Sequence, residues 1–481
     1  MFNIKSILYT FNLLLITTLS ALSNHVYGQD ISVKIHLRGI SETNISLLPL
    51  SGPKQFKSIA QVKGVKNGET TTLQVLKEYL PGEFVLRFDY KEKPESTPYP
   101  SEKHILVGSQ SLELWVHPMF ANNPDSTWLG KDEKENAAFA RFNEENSQQK
   151  QKIGLLQQFL MEYDQPESDF YRQGIKEYEI RRKAYNQWLE KKVKEDADLF
   201  SASLYRFSYL PEIMFRGSEK ERLLSMIAHY FDGIDFNDPI IIKTAQMNDW
   251  MNSYVNLHGQ IATSAALRDS LIPSAAFKAV EKAKTGNPLV YGWMVDYFYR
   301  GFESNDMPQG MKVLEPYLND PNCLTTKRME IERRLKGMET LVVGTRARDI
   351  QLKDKDNNPF ALYTYKPPAK YILVLFWSAD CSHCKETNDA LYPFSQNTEI
   401  KQKLSVVAVS LDETETEVKA WQQKVIQLPE WKHLRAEEGI NSKVANDYFI
   451  LATPVMILLD AKTMEIKSMP STMAELERLL K

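Results

Sequence analysis

From Ile31 to about Pro118 the apolar positions recur at every second residue. Ile31, Val33, Ile35 and Leu37 alternate with polar neighbours, as do Phe84, Leu86 and Phe88, and then Leu112, Leu114 and Val116. Period two is the signature of a strand with one buried face, because successive side chains of a pleated chain point to opposite sides. Turn formers such as Ser51-Gly52-Pro53, Asn67-Gly68 and Pro81-Gly82 separate the runs. Short strands joined by tight turns predict a small antiparallel sandwich or barrel, taken as a β-sandwich-like domain over 29–125.

From about Lys131 the period lengthens to that of a helix. Ile153, Leu156 and Leu160 form one stripe, and Ile175, Tyr178, Tyr185, Trp188 and Leu189 another. Gly217-Ser218, Gly286-Asn287-Pro288 and Asn319-Asp320-Pro321 punctuate the stretch, which reads as an all-helical domain over 126–340. Its many aromatic residues could line a groove, but at helical spacing they are expected in the core.

A third pattern follows the helix Met329 to Met338. Asp349 to Leu352 and Phe360 to Leu362 read as a hairpin around Asp356-Asn357-Asn358, and Tyr371 to Phe376 as an apolar strand. A helix opens at Cys381 and runs to about Gln396, with Pro393 near its end. Then come strand Leu404 to Ser410, helix Glu415 to Lys424, a weak helix Asn441 to Tyr448, strands Val455 to Asp460 and Glu465 to Met469, and helix Met473 to Leu480. Strands alternating with helices predict an α/β sheet covered on both faces over 341–481, and the whole chain is a multidomain α+β protein.

A length of 481 residues suits several such domains, and 43% hydrophobic with 25% charged residues is the balance of a folded globular protein. Residues 1–28 stand apart: Lys5 precedes the apolar core Ile7 to Leu19, and Val26-Tyr27-Gly28 precedes Gln29 in the manner of a cleavage site. This reads as a secretory signal peptide, since the apolar stretch is short of the ~20 residues of a spanning helix. No later run has spanning length, so no stable membrane span is expected after cleavage. Lys5 is the only formal charge in that segment, so cleavage takes the net charge from -3 to -4. The remaining charges are interspersed rather than blocked, which leaves no electrostatic footprint for nucleic acid.

Three cysteines cannot staple a chain of this size, yet two of them share the tetrapeptide Cys381-Ser382-His383-Cys384. A lone Cys-x-x-Cys could be half of a zinc site, but there is no second pair and no tight histidine spacing to complete four ligands. The pair directly follows a buried-type strand and opens a helix, where the positive end of the helix dipole stabilises a thiolate. Cys381, at the helix start, is therefore the expected nucleophile. Cys384, one turn on and on the same edge, is the expected resolving thiol that attacks the mixed disulfide. His383 lies between the sulfurs, where a protonated imidazole would favour the thiolate; the alternative is a solvent-facing helix residue. Thr453-Pro454 directly precedes an apolar strand. A proline there either merely starts the strand or, if its bond is cis, exposes the Thr453 backbone beside Cys381 for an extended substrate.

Phe376-Trp377 before Cys381-Ser382-His383-Cys384, with Ala452-Thr453-Pro454 downstream, resembles the thioredoxin superfamily, and within it the TlpA-like (ResA-like) envelope branch. An opening hairpin before the core fold and an inserted stretch before the proline fit that branch. The architecture is also similar to larger envelope proteins in which β and helical domains of unknown function precede such a module. The resemblance implies a thiol-disulfide oxidoreductase with Cys381 attacking, Cys384 resolving and Pro454 as the cis-proline. Trp377, Thr453 and Pro454 are then the residues expected to meet substrate. The redox-active Cys381–Cys384 disulfide is expected to serve in place of any cofactor or metal. Protein thiols and disulfides would be the substrates, with a membrane-bound redox partner. With the signal peptide, this predicts export to the periplasm or cell envelope of a Gram-negative bacterium.

The chain departs from the family pattern in three places. The buried acid of the strand before the motif falls at Leu375, the branch's glutamate falls at Thr387 with Glu386 one place early, and the usual helix proline falls at Asp389. A general base for Cys384 is thus unassigned. Two other readings compete with exchange chemistry: a soft-metal carrier in which Cys381, His383 and Cys384 hold Cu(I), and an envelope adaptor that works through its first two domains. Cys323 is left unpaired, either a passive thiol or a partner in a mixed disulfide.

Overall fold

The alternation in the first hundred residues folds as its period dictates. The computed structural model describes residues 31–52, 54–305 and 307–480. Residues 1–28, read from the sequence as a signal peptide, lie outside the described residues, as does Pro53. By compactness the chain divides between Leu257 and His258 into two units.

The first unit opens with strands β1 Ile31–Leu37, β2 Glu42–Pro49, β3 Ala60–Lys66, β4 Thr70–Val75, β5 Gly82–Lys91, β6 Tyr99–Val107, β7 Leu112–Val116 and β8 Trp128–Leu129. They form two four-stranded sheets, β4-β1-β7-β8 and β3-β2-β5-β6. The marked residues Val33, Ile35, Phe84, Leu86, Phe88, Leu112 and Leu114 meet in one buried layer between the sheets. Every pairing is antiparallel except β1 with β7, which runs parallel. Turn signals between neighbouring runs could not show that pairing, because parallel strands are joined by long connections rather than hairpins.

Helices α1 Glu135–Glu162, α2 Asp169–Glu195, α3 Ser201–Tyr205, α4 Glu219–Ala228 and α5 Ala245–Ile261 follow. Their aromatic stripes are core. Tyr178 and Tyr185 are buried, and Phe142 stacks on Tyr205 with ring centroids 3.8 Å apart. Ser218 caps α4 in a reciprocal box with Glu221, as Gly217-Ser218 foretold.

In the second unit come α6 Ala265–Lys284, α7 Pro288–Ser304, two short turns α8 Pro308–Met311 and α9 Glu315–Leu318, and α10 Arg328–Thr340. Asn287 caps α7 with Pro288 at its first position. The α/β domain then runs β9 Gln351–Asp354, β10 Pro359–Ala361, β11 Tyr371–Trp377, α11 Ser382–Gln396, α12 Thr398–Lys403, β12 Leu404–Ser410 and α13 Glu415–Gln427. It closes with β13 Lys432–Arg435, α14 Lys443–Asp447, β14 Val455–Asp460, β15 Ile466–Ser468 and α15 Met473–Leu480.

These strands form one seven-stranded sheet in the order β10-β9-β13-β12-β11-β14-β15, with β11, β12 and β13 parallel. Both faces are covered. On β11 the residues Ile372, Val374 and Phe376 enter one core layer, while Leu373, Leu375 and Trp377 enter the other with Cys384 and Leu391.

Helix α10 docks on this domain. The Arg333 guanidinium donates to the carbonyls of Ile450 at 3.2 Å and Ile440 at 3.4 Å, and to the Asn446 side chain. A Cβ at Gly337 would lie 3.0 Å from that of Phe449, so the helix backbone seats directly against this segment. The anchored stretch ends a few residues before Thr453-Pro454.

Candidate functional site

The chain leaves β11 at its carboxyl end, turns through Ser378 to Asp380, and enters α11 with Cys381 as the N-cap. Cys381 is extended in backbone and half-buried; Cys384, one turn in, is fully buried. The Cys384 amide donates to the Cys381 sulfur at 3.2 Å, which is the bond a helix start offers an anion. The Cys381 thiol in turn lies 3.5 Å from the Thr453 carbonyl, to which it donates. The Thr453-Pro454 bond is cis. The three parts expected to converge, nucleophile, resolving thiol and proline turn, are therefore adjacent.

The two sulfurs are set apart electrostatically. Burial opposes the Cys381 thiolate, but hydrogen bonds with the Cys384 side chain and amide, the Thr453 side chain and the His383 amide outweigh it and bring its pKa below the ordinary thiol value. Burial, reinforced by the hydrogen bond with Cys381, pushes the Cys384 thiol up to about 12. The accessible sulfur is the one that ionises, which is the order an attack-then-resolve sequence needs.

A test follows directly. Ionisation falls with acid, so at neutral pH iodoacetamide is expected to modify Cys381 and leave Cys384 intact. The Cys381 rate should rise with pH to a plateau, with its midpoint below that of an ordinary free thiol. Peptide mass spectrometry across pH 5 to 10 checks this, and Cys384 labelled ahead of Cys381 would contradict it.

Other assigned residues fall differently. His383 contributes its amide, but its imidazole is 80% exposed and faces the Glu386 carboxylate at 3.7 Å, itself 78% exposed. The pair is a solvated helix face, so Glu386 is no base for the buried Cys384. Trp377 requires correction. It is 1% exposed, because the strand's alternation turns it with Leu373 and Leu375 into the core layer, and it offers substrate no surface. Cys323 is buried, and burial raises its pKa, which makes it the passive thiol. Among the described residues no cluster of three or more His, Cys, Asp or Glu side chains could hold a metal ion, and no helix is long and apolar enough to cross a membrane.

One buried acid escaped the sequence reading. Asp412, directly after β12 and fully buried, reaches across to the turn before Cys381. The available signal was position: an acid just past the carboxyl end of the strand beside the cysteine strand, where open α/β sheets place their chemistry.

Residues 369–466 match the family described as Thioredoxin-like. The C-terminal domain is thus thioredoxin-like, and the β and helical regions precede it. No curated protein matches the chain. Among solved structures the chain is similar to a thioredoxin-like protein from Bacteroides caccae, at 20% identity over 56% of this chain and 96% of that one, with a TM-score of 0.38. It is also similar to a thiol-disulfide oxidoreductase from Bacteroides fragilis, at 22% identity over 28% and 97%, TM-score 0.26. The thioredoxin domain of a thiol-disulfide oxidoreductase from Bacteroides vulgatus aligns at 23% identity over 29% and 99%, TM-score 0.25.

Proposed function

We propose that the thioredoxin-like domain makes this chain a thiol-disulfide oxidoreductase that exchanges dithiol and disulfide with protein substrates in the periplasm or cell envelope. The observation that carries the reading is the division of labour between the sulfurs: an accessible Cys381 favoured as thiolate at a helix start, and a buried Cys384 held as thiol one turn behind it.

The steps balance. The Cys381 thiolate attacks a substrate disulfide, forming a mixed disulfide and releasing one substrate thiolate. Cys384 then gives up its proton to the substrate thiolate already released, attacks the Cys381 sulfur and releases the second substrate thiolate, so the pair is oxidised by two electrons and the substrate is reduced by two. Run backward, the same steps oxidise a substrate dithiol. The direction is set by the potential of the pair against its upstream donor; a membrane-bound partner would supply electrons if the chain acts as a reductase. The Thr453 backbone, beside Cys381, would pair with an extended substrate strand.

The experiment is a trap. Cys384→Ala removes the resolving thiol, so substrates attached through Cys381 are expected to accumulate as covalent adducts that dithiothreitol releases. Recovery of no adduct from an envelope fraction under mildly oxidising conditions, while a Cys381→Ser, Cys384→Ala control behaves identically, would overturn the reading.

A further inference from the structure

Asp412 is a carboxylate with no exposed surface and, among the described residues, no cation paired with it. Arg435 approaches, but its guanidinium donates to the Asp412 backbone carbonyl at 3.3 Å rather than to the carboxylate. The carboxylate instead takes three donors. The Ser378 hydroxyl lies 2.6 Å from Oδ1, the Ala379 amide 2.9 Å from Oδ1 and 3.1 Å from Oδ2, and the Ser410 hydroxyl 2.7 Å from Oδ2. The set is that of an acceptor-only group, and charge-assisted bonds to it are among the strong ones.

Burying an acid without a countercharge is costly, and here three donors offset that cost. What depends on this one is the turn between β11 and α11. Among the described residues, Ser378 and Ala379 are the ones outside β12 that the Asp412 carboxylate holds. The backbone N–H of Ser378 also faces the Cys384 sulfur. The carboxylate thus ties the end of β12 to the turn that carries one sulfur and touches the other.

We propose that Asp412 is the positioning residue of the cysteine pair: by fixing the Ser378-Ala379 turn it sets how readily Cys384 closes the disulfide on Cys381. The inference rests on the exchange reading given above. It assigns no proton transfer to the carboxylate. It also gives a cysteine pair that lacks an acid at Leu375 a buried acid just past the end of the neighbouring strand, on the turn before Cys381.

The probe is 5,5′-dithiobis(2-nitrobenzoate) with the reduced full-length chain. Attack by Cys381 releases one coloured thiolate and leaves a mixed disulfide; attack by Cys384 forms the Cys381–Cys384 bond and releases a second. In Asp412→Asn, of the same shape without the charge, the first release should stay near the wild-type rate. The second should slow about tenfold and, with the rate of reopening unchanged, the closing equilibrium falls by the same factor, which makes the pair about 30 mV more oxidising against glutathione. A folded Asp412→Asn chain with wild-type second release and potential overturns the proposal. If circular dichroism shows that variant unfolded, Ser378→Ala decides, since it keeps the Ala379 amide bond and loses only the hydroxyl. A second release slowed about threefold supports the proposal, and an unchanged one sinks it. Failure of the wild-type chain to give any second release condemns the exchange reading itself, which separates the two failures.

Discussion

Cys381→Ser is expected to bring disulfide exchange down to the uncatalysed background, a loss of about three orders of magnitude or more. A serine hydroxyl remains protonated where a thiol ionises, so none of the stabilisation at the start of α11 has an anion to act on. The bonds that favour the thiolate converge on this one sulfur. Cys384 cannot deputise, since it is fully buried and held far on the thiol side. Reduction of a model protein disulfide, followed with dithiothreitol as donor, measures the loss. Activity within about tenfold of the parent would place the chemistry elsewhere.

The second large effect is on stability. Trp377→Ala is expected to destabilise the C-terminal domain by about 3–5 kcal/mol, the usual range for truncating a buried large aromatic. The indole is 1% exposed and packs in the layer that also holds Cys384 and Leu391, so its removal opens a cavity in that layer. Against a total of about 5–15 kcal/mol this is a large fraction of the domain's margin. Alkylation of Cys384 in rising urea reports opening of this layer without requiring the whole chain to unfold as one. An unchanged urea midpoint together with a weakened KM for protein substrates would return Trp377 to the substrate face.

Where the sequence was legible, a single local signal sufficed. Strands Leu404–Ser410 and Val455–Asp460 and helix Met473–Leu480 fall where the sequence reading placed them, because each is an apolar or amphipathic run with a sharp boundary. Strand β13 was missed for the opposite reason. Lys432 and Arg435 end it, His433 fills one of its two buried places, and four residues so composed show neither alternation nor an apolar run. The His433 ring is accommodated by the Leu428 carbonyl at 2.7 Å from Nε2, a partner supplied only by the fold. The helix α12 did carry a signal, Asn397 capping Glu399, but it is too short to show a period.

At the site the same distinction holds. The adjacency of Cys381 and Cys384 to the cis Thr453-Pro454 turn was legible because motif and element boundary coincide. His383 and Trp377 were misplaced because adjacency in sequence says nothing about which way a side chain turns. One is an outward helix position and the other an inward strand position, and the two lie six residues apart in the chain. Asp412 was invisible because its importance arises from a turn 33 residues earlier in the chain.

The grip of Arg333 on the Ile440 to Ile450 stretch changes where the C-terminal domain should be regarded as beginning. A fragment trimmed at residue 341 keeps both sulfurs and the sheet yet discards the strut that braces the ledge leading to Thr453. Such a fragment would retain the adjacent sulfurs while the segment leading to Thr453 loosens. The helix before the domain therefore folds as part of the same body as the stretch that leads to the cis-proline, seated there by the Gly337 backbone as well as by the Arg333 guanidinium.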